Sequence, residues 1–203
     1  MKKKWIPILS FLVLTGALIF FWKPYRAPLH VGATVTVLEN SRSLSDFRLE
    51  STRGPLTEDY FQGHWTFLLF GYTHCPDVCP TDLALLAQVT RKLHSIAAEK
   101  VPQVLFVSVD GSRDTLDVLG KYVPAFHPDF VGATGSDAAL KPFTRDLGMY
   151  YVRNAPSPGT TNYSVDHTSA IFFIGPDGAP RASFRPPLSV DQTVKDVQAI
   201  MSE

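Results

Sequence analysis

The chain has little cysteine, no surplus of charge of either sign, no internal repeat and no low-complexity tract, and each shortage excludes something. Two cysteines in 203 residues cannot build a disulfide scaffold. Nineteen basic residues balance nineteen acidic ones, so the cationic surplus on which phosphate binding depends is missing, and nucleic acid is excluded as a partner. Charged residues make up 19% and hydrophobic ones 45%, which fits neither a disordered chain nor a bundle of membrane helices. The length admits one folded domain with a tether.

What is present begins with residues 5–22 (WIPILSFLVLTGALIFFW), which carry no charge. Eighteen residues at 1.5 Å rise span about 27 Å, close to the ~30 Å of bilayer hydrocarbon. Lys2, Lys3 and Lys4 precede the run, with only Lys23 and Arg26 just after it, so the basic bias holds the N-terminus in the cytoplasm and exports the rest. A cleaved signal peptide has the same basic start, but its apolar region is usually shorter and ends at small residues, where this chain has Phe20, Phe21 and Trp22. The reading is a membrane anchor over 1–24 with a transmembrane helix at 5–22, a stalk or edge segment over 25–40, and a folded domain over 41–203 outside the cytoplasm.

In that domain residues 66–72 (TFLLFGY) form an apolar run of buried-strand length that stops directly before the cysteines. Leu83, Leu86, Thr90, Leu93 and Ala97 then recur at helical steps, with Pro80 in the first turn. Residues 104–109 read as a second buried strand, 113–122 as a helix with Leu116 and Leu119 on its apolar face, and 130–133 as a third strand. A helix over 137–147 is shortened or kinked by Pro142. Residues 170–174 and 182–184 flank the turn Pro176-Asp177-Gly178 and predict a hairpin. Ser189 starts a closing helix over 190–201, with Val194, Val197 and Ile200 inward. Strands alternating with helices predict an α/β, thioredoxin-like mixed sheet flanked by helices. Ligands of open α/β sheets favour the carboxyl ends of strands, where the cysteine loop falls.

Cys75 and Cys79 are four apart, and Pro76 and Pro80 push each cysteine out of the helical region, so a tight turn brings the sulfurs together. A helix start stabilises negative charge, so Cys79 is placed for a lowered pKa. Two soft sulfurs favour Cu(I) or Zn(II), and a third ligand then has to be histidine. His30, His64, His94 and His127 have ordinary surface or packing explanations. His74 adjoins Cys75 but points the other way on extended chain, which suits orienting a ligand and not being one. His167 enters the run 170–174, and a strand there carries its imidazole to the sheet edge, where it completes a site of two sulfurs and one nitrogen. Asp77 is a turn residue or a partner contact, and Asp166, beside His167, faces away from it.

Residues 70–80 (FGYTHCPDVCP), the blocks Val107-Ser108-Val109-Asp110 and Arg113-Asp114-Thr115, and the block Val165-Asp166-His167-Thr168 together resemble the Sco/SenC family of membrane-anchored copper chaperones for cytochrome c oxidase assembly. The resemblance spans about residues 47–184. It implies a thioredoxin-like fold and a metallochaperone, not an enzyme, with copper as Cu(I) or Cu(II) on Cys75, Cys79 and His167. It also implies delivery to, or thiol reduction of, the dinuclear copper site of oxidase subunit II, with another copper donor or a thiol reductant as further partners. Gly111-Ser112 stands where the family commonly has Pro-Glu, and Thr81-Asp82 replaces Glu-Glu or Glu-Leu. Neither departure touches a ligand, so both bear on partner choice.

Two enzymes compete with that reading. An extracytoplasmic thiol-disulfide oxidoreductase would use the pair as a redox disulfide, although such enzymes carry two residues between the cysteines and a facing proline, and this chain has three and no proline over 159–175. A peroxiredoxin-like enzyme would use Val78-Cys79-Pro80-Thr81, but the proline and threonine expected before that cysteine fall on Tyr72 and Pro76.

Overall fold

The computed structural model describes residues 31–39, 41–155 and 163–202. The anchor over 1–24 and the first part of the stalk lie outside the described residues. Among those that are described, no helix is long and apolar enough to cross a membrane.

The described residues contain ten strands: β1 Val35–Val37, β2 Leu49–Ser51, β3 Gly54–Leu56, β4 Thr66–Gly71, β5 Gln103–Ser108, β6 Val131–Thr134, β7 Tyr151–Arg153, β8 Val165–His167, β9 Ile171–Ile174 and β10 Pro180–Phe184. Four α-helices join them: α1 Val78–Ile96, α2 Leu116–Tyr122, α3 Asp137–Asp146 and α4 Val190–Met201. Eight strands make one mixed sheet in the order β1-β10-β9-β4-β5-β6-β2-β3, and β7 and β8 pair as a ribbon of their own. β4, β5 and β6 are parallel, whereas β9 runs antiparallel to β4 and β10. This is the thioredoxin-like arrangement.

β4 is central, and all six of its residues are buried, which is why it reads as a continuous apolar run and not as an alternation. Its side chains still divide between two faces. Leu68 and Phe70 join Leu105, Val107 and Phe172 in the core on one face, where α3 supplies Phe143, stacked on Phe47 at 4.3 Å. Phe67 meets Phe173 and Phe184 on the other face, where α1 buries Leu83, Leu86 and Leu93 and α4 buries Val194, Val197 and Ile200.

Several expectations change in detail. The first helix begins at Val78, so Cys79 and Pro80 are already helical. Proline in a first turn removes no hydrogen bond, because the donor there has no helical partner anyway. Thus only Cys75 lies in the turn. The helix expected over 113–122 starts at Leu116, which is 37% exposed, and of its two apolar positions only Leu119 is buried. Pro142 is accommodated inside α3. β1 lies in the stretch assigned to stalk or edge and pairs with β10 along the outer edge of the sheet. The turn at Pro176-Asp177-Gly178 closes the β9–β10 hairpin, with Gly178 at φ +76°. Ser189 caps α4, its hydroxyl accepting from the Gln192 amide.

Candidate metal centre

The loop after β4 carries the cysteines to the carboxyl end of the central strands. It is held by one buried carboxylate. Asp114, with no exposed side-chain surface, accepts from the Thr73 amide at 2.8 Å and from the hydroxyls of Thr73 and Ser108, both at 2.5 Å. Val109 donates its amide to the Gly71 carbonyl, which ties the loop to the segment after β5. Within the loop Cys75 donates its amide to the Tyr72 carbonyl, forming a turn. The sequence blocks containing Asp110 and Asp114 therefore act through position. No role for these carboxylates follows from sequence alone, and the available signal is an acidic pair just past a buried strand's carboxyl end.

Both cysteines are free thiols, Cys75 half-buried and Cys79 2% exposed. Cys79 fits because residue 71 is glycine. A Cβ there would lie 2.6 Å from the Cys79 sulfur and 2.8 Å from the Phe106 ring. Burial pushes the Cys79 thiol up, outweighing the favourable Tyr72 backbone, and the neighbouring Cys75 adds to the rise. This reverses the lowered pKa expected from the helix start. The positive end of a helix dipole is worth less here than the loss of water.

His167 reaches the site from the β7–β8 ribbon and not from the 170–174 strand, where the sequence placed it. Its Nε2 lies 3.7 Å from the Cys79 sulfur, and its ring meets Tyr72 edge-on at 6.3 Å. Its Nδ1 is 3.1 Å from the Thr168 carbonyl oxygen. A carbonyl only accepts, so the neutral imidazole carries its proton on Nδ1 and presents the Nε2 lone pair to the sulfur. Soft-metal bonds of about 2.3 Å to sulfur and about 2.0 Å to nitrogen, opened to a trigonal angle, separate the two donors by about 3.7 Å, so this pair fits an ion between them. Among the described residues no three His, Cys, Asp or Glu side chains are yet gathered around one point. The Cys75 thiol already neighbours that of Cys79.

The other residues singled out by sequence sit around this pair. His74 is exposed, with Nδ1 3.1 Å from the Thr73 hydroxyl and 3.8 Å from Asp114, so it belongs to the loop anchor. Asp77 occupies the cap position of α1 but makes no side-chain cap bond. Asp166 is exposed on the ribbon's outer face, opposite Val152.

Asp82, one turn after Cys79, is buried with no charged partner among the described residues, and burial pushes its carboxyl up to about 6. An unfolded aspartate titrates near ~3.9. The folded state therefore holds the proton more tightly, and this group costs no stability below about pH 4, then an increasing cost as pH rises through about 6. Asp82→Asn is expected to melt higher than wild type at pH 7.5 and at nearly the same temperature at pH 4. Equal melting temperatures at both pH values would contradict it.

A thioredoxin-like sheet with one cysteine before a helix and a second in its first turn, faced by an imidazole, is an arrangement suited to soft-metal or thiol-redox chemistry. The chain belongs to the SCO1/SenC family, whose model matches residues 36–202. The mitochondrial protein SCO2 homolog of Bos taurus is 37% identical over 158 residues, 77% of this chain and 59% of that protein. The chain spans between 48% and 60% of the length of the four vertebrate SCO2 homologs it matches. Among solved structures, apo Sco1 from Thermus thermophilus aligns with a TM-score of 0.74 at 37% identity, covering 86% of this chain and 99% of that one. Arabidopsis thaliana ScoI with copper bound aligns at 0.73 and 31%, covering 80% and 100%.

Proposed function

We propose that the reduced chain binds one Cu(I) through Cys75, Cys79 and His167 and delivers it to the dinuclear copper site of cytochrome c oxidase subunit II. The anchor at 5–22 would hold the domain at the outer face of the membrane, with the N-terminus in the cytoplasm. The observation that supports this most is the 3.7 Å between the Cys79 sulfur and a His167 Nε2 whose other nitrogen is turned to a carbonyl. Thiolates and imidazole are the donors a soft monovalent ion selects, and copper in the Arabidopsis relative is consistent with that choice. Thiolate ligation displaces the cysteine protons, so binding strengthens as pH rises.

A second activity, reduction of a disulfide in the recipient to its two thiols as Cys75 and Cys79 become a disulfide, is favoured by the unequal exposure of the two sulfurs. Cys75 is the one a partner disulfide can reach, and buried Cys79 then closes onto it, releasing the partner as a thiol. A peroxidase using Cys79 is disfavoured, because a thiol 2% exposed offers an external peroxide no approach, whereas the neighbouring Cys75 is already in reach.

The test is anaerobic titration of the full-length protein with Cu(I) against a Cu(I)-selective chelator. One equivalent is expected to bind the reduced chain. After the Cys75–Cys79 disulfide forms, retention should be lost, since both thiolates are consumed. Full retention by the oxidised protein would refute the proposal.

A further inference from the structure

The ribbon that carries His167 shares no ladder with the main sheet among the described residues. Its inner face presents Tyr151 and Arg153 from β7 and Val165 and His167 from β8, with Tyr151 opposite His167 and Arg153 opposite Val165. Val165 is seated in the core. The polar half of the ribbon converges on Asp137, the first residue of α3. Arg153 Nη1 and Nη2 donate to its two carboxylate oxygens at 2.9 and 2.8 Å, and the Tyr151 hydroxyl donates to the same carboxylate at 2.8 Å. Arg153 Nη2 also donates to the carbonyl of Val109, the first residue after β5. α3 is a firm post for this contact, because Ser136 caps it and Leu140 and Phe143 are buried in the core.

We propose that the Arg153–Asp137 fork is the strut that sets the distance between His167 and Cys79, which makes both strut residues positioning residues for the donor set. This rests on the reading of Cys75, Cys79 and His167 as metal ligands. A lone exposed ion pair contributes little, but a bidentate guanidinium on a shared carboxylate fixes direction as well as distance. The fork is 28% exposed on the arginine side, and its hydrogen bonds hold the Asp137 carboxyl below the ordinary range. Arg153 at the Val165 end and Tyr151 at the His167 end hang on the one Asp137 carboxylate, so loss of the fork lets the ribbon turn about Val165 and carries His167 away from the sulfur. Lysine would make one of the bonds without the planar fork.

The test uses the full-length reduced protein and the variants Arg153→Ala, Arg153→Lys, Asp137→Asn and His167→Ala. In metal-free protein, carbethoxylation of His167 by diethylpyrocarbonate, followed by peptide mass, is expected to run several-fold faster in Arg153→Ala and Asp137→Asn. Cu(I) affinity is expected to fall ~10- to 100-fold in both, the range for losing a group that orients a ligand. Arg153→Lys should fall between these and wild type, and the double variant should be no worse than either single one. One substitution removes a cation and the other an anion, so a purely electrostatic influence would shift affinity in opposite directions, and that result would overturn the strut. Unchanged reactivity and affinity in Asp137→Asn and Arg153→Lys would also overturn it, including the case in which Arg153→Ala fails to fold. Unchanged Cu(I) affinity in His167→Ala would instead refute the donor set.

Discussion

Replacement of His167 by alanine is expected to weaken Cu(I) binding by more than the ~10- to 100-fold that follows loss of a ligand's hydrogen-bonded partner. The substitution removes a donor outright, and the remaining sulfurs offer a two-point site. His167 is only half-buried and lies on a ribbon whose core contacts, Val165 and Tyr151, the change leaves in place, so the fold should tolerate it. Thiol titration should still find two reduced cysteines, and the melting temperature should stay close to wild type. The measurement is chelator competition under anaerobic conditions, and a wild-type affinity in this variant would remove histidine from the site.

Gly71→Ala is expected to disturb both stability and binding. The new Cβ would sit 2.6 Å from the Cys79 sulfur and 2.8 Å from Phe106, closer than either neighbour allows. Phe106 is fully buried and cannot retreat, and Gly71 is held in register with Ser108 of β5. The sulfur must therefore move. Overpacking of this kind costs about 1–3 kcal/mol, which for a domain of this size lowers the melting temperature by roughly 2–12 °C. Displacing the sulfur also alters its separation from Nε2, so Cu(I) affinity should drop at least tenfold by the same assay. A variant that melts and binds like wild type would show that the thiol has room behind it.

The parts of this molecule legible in sequence are the ones fixed by local chemistry. The Pro176-Asp177-Gly178 turn, the Ser189 cap and the all-apolar β4 each announce themselves within a few residues. The cysteine pair and His167 stand out because soft-ligand chemistry is rare in this composition. The carrier of His167 was not legible. β7 and β8 have three residues each, too few for an alternating pattern, and they pair across a connection that contains no periodic signal. The Cys79 thiol was misjudged for a similar reason: its helix-start position is local, but its burial depends on Gly71 and Phe106 across the sheet. Leu116 follows the helical period yet remains exposed, because α2 is two turns long and buries only Leu119.

The two halves of the proposed donor set hang from different parts of the molecule. The sulfur loop is fastened to β5 through Asp114, whereas the imidazole travels with a ribbon outside the main sheet. A shift of the ribbon alone would therefore change the spacing of nitrogen and sulfur while the sulfur loop stays where β5 holds it.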